Sequence, residues 1–571
     1  MKVMKVIEYH ERTKHLPNRP ARSAGYLDWA TEPDPFRSYD GTTPIQLPFS
    51  NAVSDANYFD LFTRNNNRFQ AFSFTNIAHL LELSMGLSAW KSYSGTSWAL
   101  RMNPSSGNLH PTEAHLVLPP IQEYNNSGGV FHYNPQSHVL EPRAEFDEQF
   151  WLKLEKHFRQ KGFLIGLTSI YWRESWKYGE RAFRYCNHDI GHAMACLSFS
   201  ANLLGWKITY LNSLSTKDME VILGFQKTTW KEFEREEPDL LFFVHKSSQN
   251  LDKRGIPSDI IKSFDSLHFK GEPNQLSKDH EDWHVIDEVS SETSKPVTEG
   301  VIYHYKEHEY FEKEIPAMSG EGIIRQRRSA QAYDGKTTIT KNDFFAILDK
   351  TIPRSHSAPF DLEPGDIAVH LLIFVHRVIG LDSGLYFLIR NEEDIADVKQ
   401  KCHPYFFWKM VHDAPNMSNL YLLQKGDFRR EATFASCQQD IAGDGAFSVG
   451  MIAKFKENIE NNPFLYRRLF WETGMIGQIL YLEAEAHSVR GTGIGCFFDD
   501  VVHKLLGFDN NAYQSLYHFT VGGALEDTRI TTLPPYYHLK KNVRIGVILK
   551  MQYPNDLYHN PDSKGEDWPS H

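Results

Sequence analysis

The chain runs through one order of elements twice. A long apolar helical pattern ending at Leu204 is followed by a segment led by Gly205, then Lys217–Gly224, then the apolar strand Asp239–Val244. The order returns later as a long helix over Pro463–His487, a glycine-led segment from Arg490, Asp499–Gly507, and a strand over Leu516–Val521. Strand signals precede each long helix: Thr112–Leu118 and Gly129–Tyr133 in the first half, Ile367–Val375 and Gly384–Ile389 in the second. Each pass is far longer than the roughly 20–50 residues of a solenoid repeat. The pattern predicts two copies of one α+β unit in tandem.

At 571 residues the chain exceeds what one hydrophobic core supports. We divide it into an extended arm (1–60), a first unit (61–246), a linker (247–320), a second unit (321–545) and a tail (546–571). The arm is proline-rich, as in Leu27–Arg37, which excludes long regular elements. Ser, Lys, Asp and Glu dominate 246–300, the composition of a loosely ordered linker. Further helices are expected over Phe74–Ser88 with Thr75 as N-cap, over Glu145–Gln160, over Thr216–Leu223 and over Lys341–Asp349.

Bulk numbers exclude several classes. A net charge of −11 leaves no basic stripe for a nucleic acid. The longest apolar run, Ala368–Val375, is too short to span a bilayer, and the N-terminus has no apolar core of a signal peptide. Five cysteines stand without metal-type spacing. The expectation is a soluble, reduced, cytoplasmic protein with no membrane or nucleic-acid partner and no metal. His188 and His192 share a helix face, but as capped or packed side chains. No GxGxxG follows a strand, so no Rossmann nicotinamide site is expected.

Five short segments carry chemistry. Arg101-Met-Asn-Pro-Ser-Ser-Gly-Asn-Leu-His-Pro111 can be neither helix interior nor central strand, and it offers hydroxyls, an amide and backbone N–H groups to a planar polar partner. Arg325-Gln-Arg-Arg-Ser-Ala-Gln-Ala-Tyr333 supplies guanidinium groups and a hydroxyl suited to a phosphate, or else a solvated basic turn. The glycine-rich turn Arg490-Gly-Thr-Gly-Ile-Gly-Cys496 permits close backbone approach to a flat ligand. Val521–Arg529 ends on a cation. Lys177-Tyr178 pairs a phenol with an ammonium that can lower its pKa; the plain alternative is a surface Lys beside a packed Tyr.

Taken together, these segments resemble the nitroreductase family, in particular its SagB-type members, which oxidise azolines to thiazoles and oxazoles in peptides. The resemblance implies FMN as cofactor. It assigns Arg101, Pro104, Ser105, Ser106 and Asn108 to the flavin from one unit, and Arg327, Arg328, Ser329, Gly495, Cys496 and Arg529 from the other. It implies catalytic roles for Lys177 and Tyr178. Gln331 departs from the basic residue that several members carry two places after the serine. Family members are usually homodimers with FMN at the interface, so a fused chain implies an intrachain pseudo-dimer. The matching positions of the opposite halves, Asn65–Phe69, Gly205–Asn212 and His356–Pro364, look degraded. One FMN per chain is therefore expected, with a small molecule or modified peptide as substrate and O2 or NAD(P)H as redox partner. The other functions left open are an NAD(P)H-dependent nitro, quinone or ene reductase and a flavin-less scaffold. Oligomeric state stays open.

Overall fold

The two passes build two sheets of seven strands, of which six run in the same order, each sheet being closed by a two-residue outer strand of different origin. In the first sheet, Ile45–Gln46, Val139–Phe146, Gly128–Asn134, Thr112–Leu118, Gly162–Ser169, Glu237–Lys246 and Trp206–Tyr210 lie side by side. In the second the order is Lys409–Met410, Leu420–Lys425, Gly384–Leu388, Val369–Val375, Phe447–Lys454, Tyr513–Gly522 and Arg490–Ile494. In both, the chain meanders through the first strands, runs through one long helix, makes the edge strand, and returns to pair beside it. The computed structural model describes residues 5–50, 56–63, 68–121, 127–246, 248, 251–311, 319–414, 417 and 419–539. The tail at 546–571 lies outside the described residues, as does most of Asn65–Phe69.

The long helices, Ala182–Leu203 and Leu465–Ala486, have 22 residues each and are buried almost throughout. They are buried on all sides because each serves two cores. Trp471, Met475, Ile479 and Leu482 of the second helix join the core of the first unit. Ala182, Phe183 and Cys186 of the first helix join the core of the second. Each large apolar side chain so buried contributes roughly 1.5–3 kcal/mol, so the junction between units is continuous core. It is an intrachain pseudo-dimer.

Local chemistry corrects several boundaries. Ser73, not Thr75, caps the helix Phe74–Ser84, its Oγ accepting from Asn76 N–H at 3.2 Å. Glu145 belongs to the strand Val139–Phe146, and Asp147 caps the helix Glu148–Phe158. The arm carries a helix, Val6–Arg12, with Tyr9 and His10 buried. The linker is more ordered than its composition predicts. It holds the helices Ser258–Asp265 and His284–Glu292, which bury Ile260, Phe264, Val285 and Val289. Those few apolar residues fall at helical spacing, and this pattern outweighs the charged composition around them. Arg490–Ile494, expected as a turn, is the edge strand of the second sheet. Among the described residues no helix is long and apolar enough to cross a membrane.

A third, small sheet joins the two halves of the chain. The hairpin Leu87–Tyr93/Thr96–Arg101 accepts Thr531–Leu533 on its open edge, with Thr531 opposite Ser92. This brings the segment after the second unit onto the first and walls in the space between them.

Candidate active site

The hairpin ends at Arg101, and the loop that follows faces the start of the second unit across a cavity of about 280 Å³. Arg101, Asn103, Pro104, Ser105 and Asn108 line it from the first unit, and Arg327, Arg328, Ser329 and Arg490 from the second. Two motifs far apart in sequence thus share one site. Arg327 joins them directly: its Nη2 donates to the carbonyls of Arg101 (3.3 Å) and Met102 (3.4 Å), and its guanidinium lies 5.0 Å from the centre of the Tyr481 ring.

The loop is held by its own polar groups. Ser105 Oγ accepts from His110 N–H at 2.8 Å, and Asn108 Nδ2 donates to Ala99 O at 2.9 Å. Ser106 turns away from the cavity and donates its N–H and Oγ–H to Asp189 at 3.1 and 3.2 Å. Arg101 is 2% exposed and donates to Thr112 O and Pro35 O, so it anchors the loop and the arm. On the other wall, Arg328 donates to the carbonyls of Arg325, Arg327 and Ser88. Its N–H reaches Glu485 Oε1 at 3.0 Å. Ser329 Oγ and Tyr481 OH are 3.0 Å apart, and Tyr481 OH accepts from Gly493 N–H at 3.0 Å.

The residues present fit a flat, polar, anionic ligand. Asn103 is 1% exposed, yet neither of its amide atoms has a hydrogen-bond partner, and Arg327 Nε is also buried without one. Such groups cost roughly 1–3 kcal/mol each unless a ligand or water satisfies them. Lys91, Arg327, Arg328 and Arg490 surround the space, with Glu526 and Asp527 as the opposing acids. Burial, then the nearby Arg328, lowers the pKa of Lys91. Arg529, assigned to the phosphate by resemblance, is exposed and bonded to Asp527 through Nε (2.9 Å) and Nη2 (2.7 Å); it does not line the cavity.

Gly495, Cys496, Lys177 and Tyr178 gather beside this cavity rather than in its lining. A Cβ on Gly107 would stand 2.5 Å from Tyr178 OH, and one on Gly495 would stand 2.2 Å from the Tyr185 ring. The two tyrosine rings are 4.5 Å apart. Tyr178 and Tyr185 therefore bridge the Ser-Ser-Gly-Asn loop to Gly495. Lys177 Nζ lies 5.4 Å from the centre of the Tyr178 ring. It does not lower the phenol's pKa as expected. Burial raises that pKa well above its ordinary value, and the carboxyl of Glu174 adds to the rise.

Glu174 and Asp189 form a buried carboxyl pair that sequence reasoning missed. Burial and the proximity of Asp189 raise Glu174 well above the usual carboxylate range. Burial raises Asp189 to about 7 against the opposing bonds from Ser105 and Ser106. Glu174 Oε1 lies 3.5 Å from Ser105 Oγ. A lowered thiol is found at Cys496, brought to about 5 by contact with Cys437, against burial, with help from His15. Asn103, Lys91 and Arg490 were also missed. Asn103 lay inside the quoted motif and Arg490 opened another, whereas the strand carrying Lys91 gave no signal. Among the described residues no cluster of His, Cys, Asp and Glu is arranged to hold a metal. His188 instead bonds Thr473 Oγ1 at 2.9 Å and His192 bonds Tyr517 OH at 3.2 Å.

Comparison with known proteins bears on the fold. The nitroreductase family model matches residues 324–523. A solved structure described as a nitroreductase from Anabaena variabilis ATCC 29413 overlays with a TM-score of 0.66 at 22% identity, covering 91% of this chain and 99% of its own. One from Ralstonia eutropha JMP134 covers 39% of this chain and 89% of its own at 14% identity and a TM-score of 0.27. The Escherichia coli microcin synthetase McbBCD complex with truncated pro-MccB17 bound gives 42%, 91%, 16% and 0.24. No curated protein matches the sequence. Residues 324–523 are similar to the nitroreductase family, and the chain as a whole has the fold of a nitroreductase.

Proposed function

We propose that the chain holds one FMN where its two units meet and catalyses FMN-dependent dehydrogenation of an azoline or similar heterocycle, free or carried on a modified peptide. The observation that carries this reading is the shared cavity. The loop Arg101–Asn108 and the Arg327–Ser329 segment converge on it, and the buried Asn103 amide and Arg327 Nε await partners there. Lys91, Arg327, Arg328 and Arg490 supply the positive charge for the cofactor's phosphate. The Tyr178 and Tyr185 rings, packed against Gly107 and Gly495, supply flat aromatic faces beside the cavity. When bound, FMN supplies the two-electron hydride acceptor, with O2 as the final oxidant.

The chain's own residues handle the proton. Tyr178 stays protonated at neutral pH, so it acts as a hydrogen-bond donor to the substrate ring, with Lys177 over its ring face. The proton released on aromatisation passes to Asp189, which burial raises to about 7, the range of a base working near neutrality. Beside it stands Glu174, which burial and Asp189 raise well above the usual carboxylate range. The deciding experiment is the visible spectrum of the purified protein with released flavin counted per chain. One FMN per chain and oxidation of a thiazoline peptide under air supports the proposal. Two FMN per chain, or none after reconstitution, overturns it. Rapid flavin reduction by NADPH, with no thiazoline oxidation, makes the chain a reductase instead.

A further inference from the structure

The two units are related position by position, so every part of the reaction site has a mate in the other half. The register of the edge strands defines it. Arg490–Ile494 pairs along Gly522–His518, and Trp206–Tyr210 pairs along Lys246–Phe242. Followed from the inner strands outward, the register places Thr209 where Thr492 stands, Tyr210 where Gly493 stands, and Asn212 where Gly495 stands. Aligning the two long helices places Arg467 at the position of Arg184 and Arg468 at that of Tyr185.

This mate is not a flavin site. Gly491, Gly493 and Gly495 are replaced by Ile208, Tyr210 and Asn212, which carry side chains where the other half has none. Lys207 Nζ is held by Glu363 at 3.3 Å. Yet the mate is not filled in. Tyr210, Asn212, Lys295, Tyr303, Arg468 and Trp471 help to line a cavity of about 220 Å³. The linker roofs it: Asn212 Nδ2 donates to Val301 O at 2.7 Å, and Val301 N–H donates back to Asn212 Oδ1 at 3.1 Å.

We infer that this cavity is a second binding site, for a small aromatic monocarboxylate. Arg468 is 8% exposed, and its Nη2 is buried with no hydrogen-bond partner. Its guanidinium passes Gly365, where a Cβ would stand 2.2 Å from Nη1. Its neighbour Arg467 is fully engaged, by Asp239 (3.1 Å), Thr293 Oγ1 (2.9 Å) and Ser290 O (3.1 Å). Arg468 therefore brings the open donor, and Lys295, brought to about 8 by burial, adds a second cation. Tyr210 and Trp471, edge to face with centroids 6.3 Å apart, give a flat apolar body its walls. Glu299 and Asp366 also line the space and disfavour a multiply charged anion such as phosphate. This site is independent of the flavin reading, because none of its residues lines the first cavity.

Calorimetry of benzoate into the full-length protein as purified tests the inference. One benzoate per chain is expected, with Kd raised about tenfold or more by Arg468→Gln, the loss of one charge-assisted bond. Arg468→Lys should restore part of the affinity, and Lys295→Met should weaken binding in the same direction. Asn103→Leu, in the other cavity, should leave it unchanged. Thermal melts establish that each variant is folded. No saturable benzoate binding, binding indifferent to both Arg468→Gln and Lys295→Met, or binding lost in Asn103→Leu overturns the assignment. Inorganic phosphate binding as tightly as benzoate overturns the ligand class.

Discussion

Gly191 and Gly474 touch at the centre of the molecule, each the tenth residue of its long helix. A Cβ on Gly474 would stand 2.2 Å from His188 O and 2.8 Å from Gly191 Cα; one on Gly191 would stand 2.2 Å from Trp471 O and 2.8 Å from Gly474 Cα. His188 and Trp471 are themselves equivalent positions, so the contact is symmetric. The pseudo-twofold axis passes between these glycines. Their lack of side chains sets how closely the helices approach, and hence how the loop of one unit reaches the arginines of the other.

Substituting Gly474 by Val should therefore damage the site at a distance. The clash is with backbone, which has no rotamer to move, so overpacking of roughly 1–3 kcal/mol or more is expected. The thermal midpoint should fall by several degrees, and bound flavin should fall with it. A Gly474→Val protein that melts and binds FMN like the wild type would show that the helices slide apart freely.

Asn103→Leu separates binding from stability. The amide makes no hydrogen bond in the absence of a ligand, so removing it should leave the ligand-free melting temperature unchanged or slightly raised. FMN affinity, measured by fluorescence quenching, should weaken about tenfold. A large loss of ligand-free stability with FMN affinity retained would show that Asn103 serves the fold instead.

The architecture was legible where hydrophobic periodicity is long. The helix Lys341–Asp349 and the strand Thr112–Leu118 lie where the pattern predicts, and the long helices end within one or two residues of the expected positions. The meeting of Arg101–Asn108 with Arg327–Ser329 was legible as well, because duplication and unequal decay of the halves leave one intact combination. What the sequence hid was produced by folding. Lys91 gained its place from a hairpin with no clear alternation. Glu174 and Asp189 became neighbouring buried carboxyls only when the helix Tyr171–Tyr178 packed beside the first long helix. Arg529 was misplaced because sequence proximity to the site does not reveal that Asp527, two residues away, takes its guanidinium.

The buried polar layer beneath the arm gives the stability of the protein a pH dependence. His132 is fully buried, which by itself lowers its pKa, but bonds to Glu141 (2.8 Å) and Glu113 (3.2 Å) outweigh this and raise it to about 9. A folded-state value above the unfolded one near 6.5 stabilises the protein fully below pH 6.5 and less as pH climbs through 9. Denaturant midpoints should accordingly fall between pH 6.5 and 9, on the order of 1–3 kcal/mol in total. His132→Gln should flatten that slope while leaving the ratio of FMN to chain unchanged. An unaltered slope would place the pH dependence elsewhere.

Tyr178 and Asp189 should divide the pH profile of turnover between them. Asp189 titrates at about 7, so the carboxylate that accepts the proton forms as pH rises, and turnover should climb through an inflection near 7. Tyr178, held well above its ordinary pKa, contributes no inflection below pH 10. Tyr178→Phe should lower kcat about 100-fold or more, keep FMN bound and leave the inflection in place. Asp189→Asn keeps an acceptor for Ser106 N–H and should abolish the inflection as well as the rate. If Asp189→Asn retains both, the proton leaves by another route, and Lys177 is the remaining base beside Tyr178.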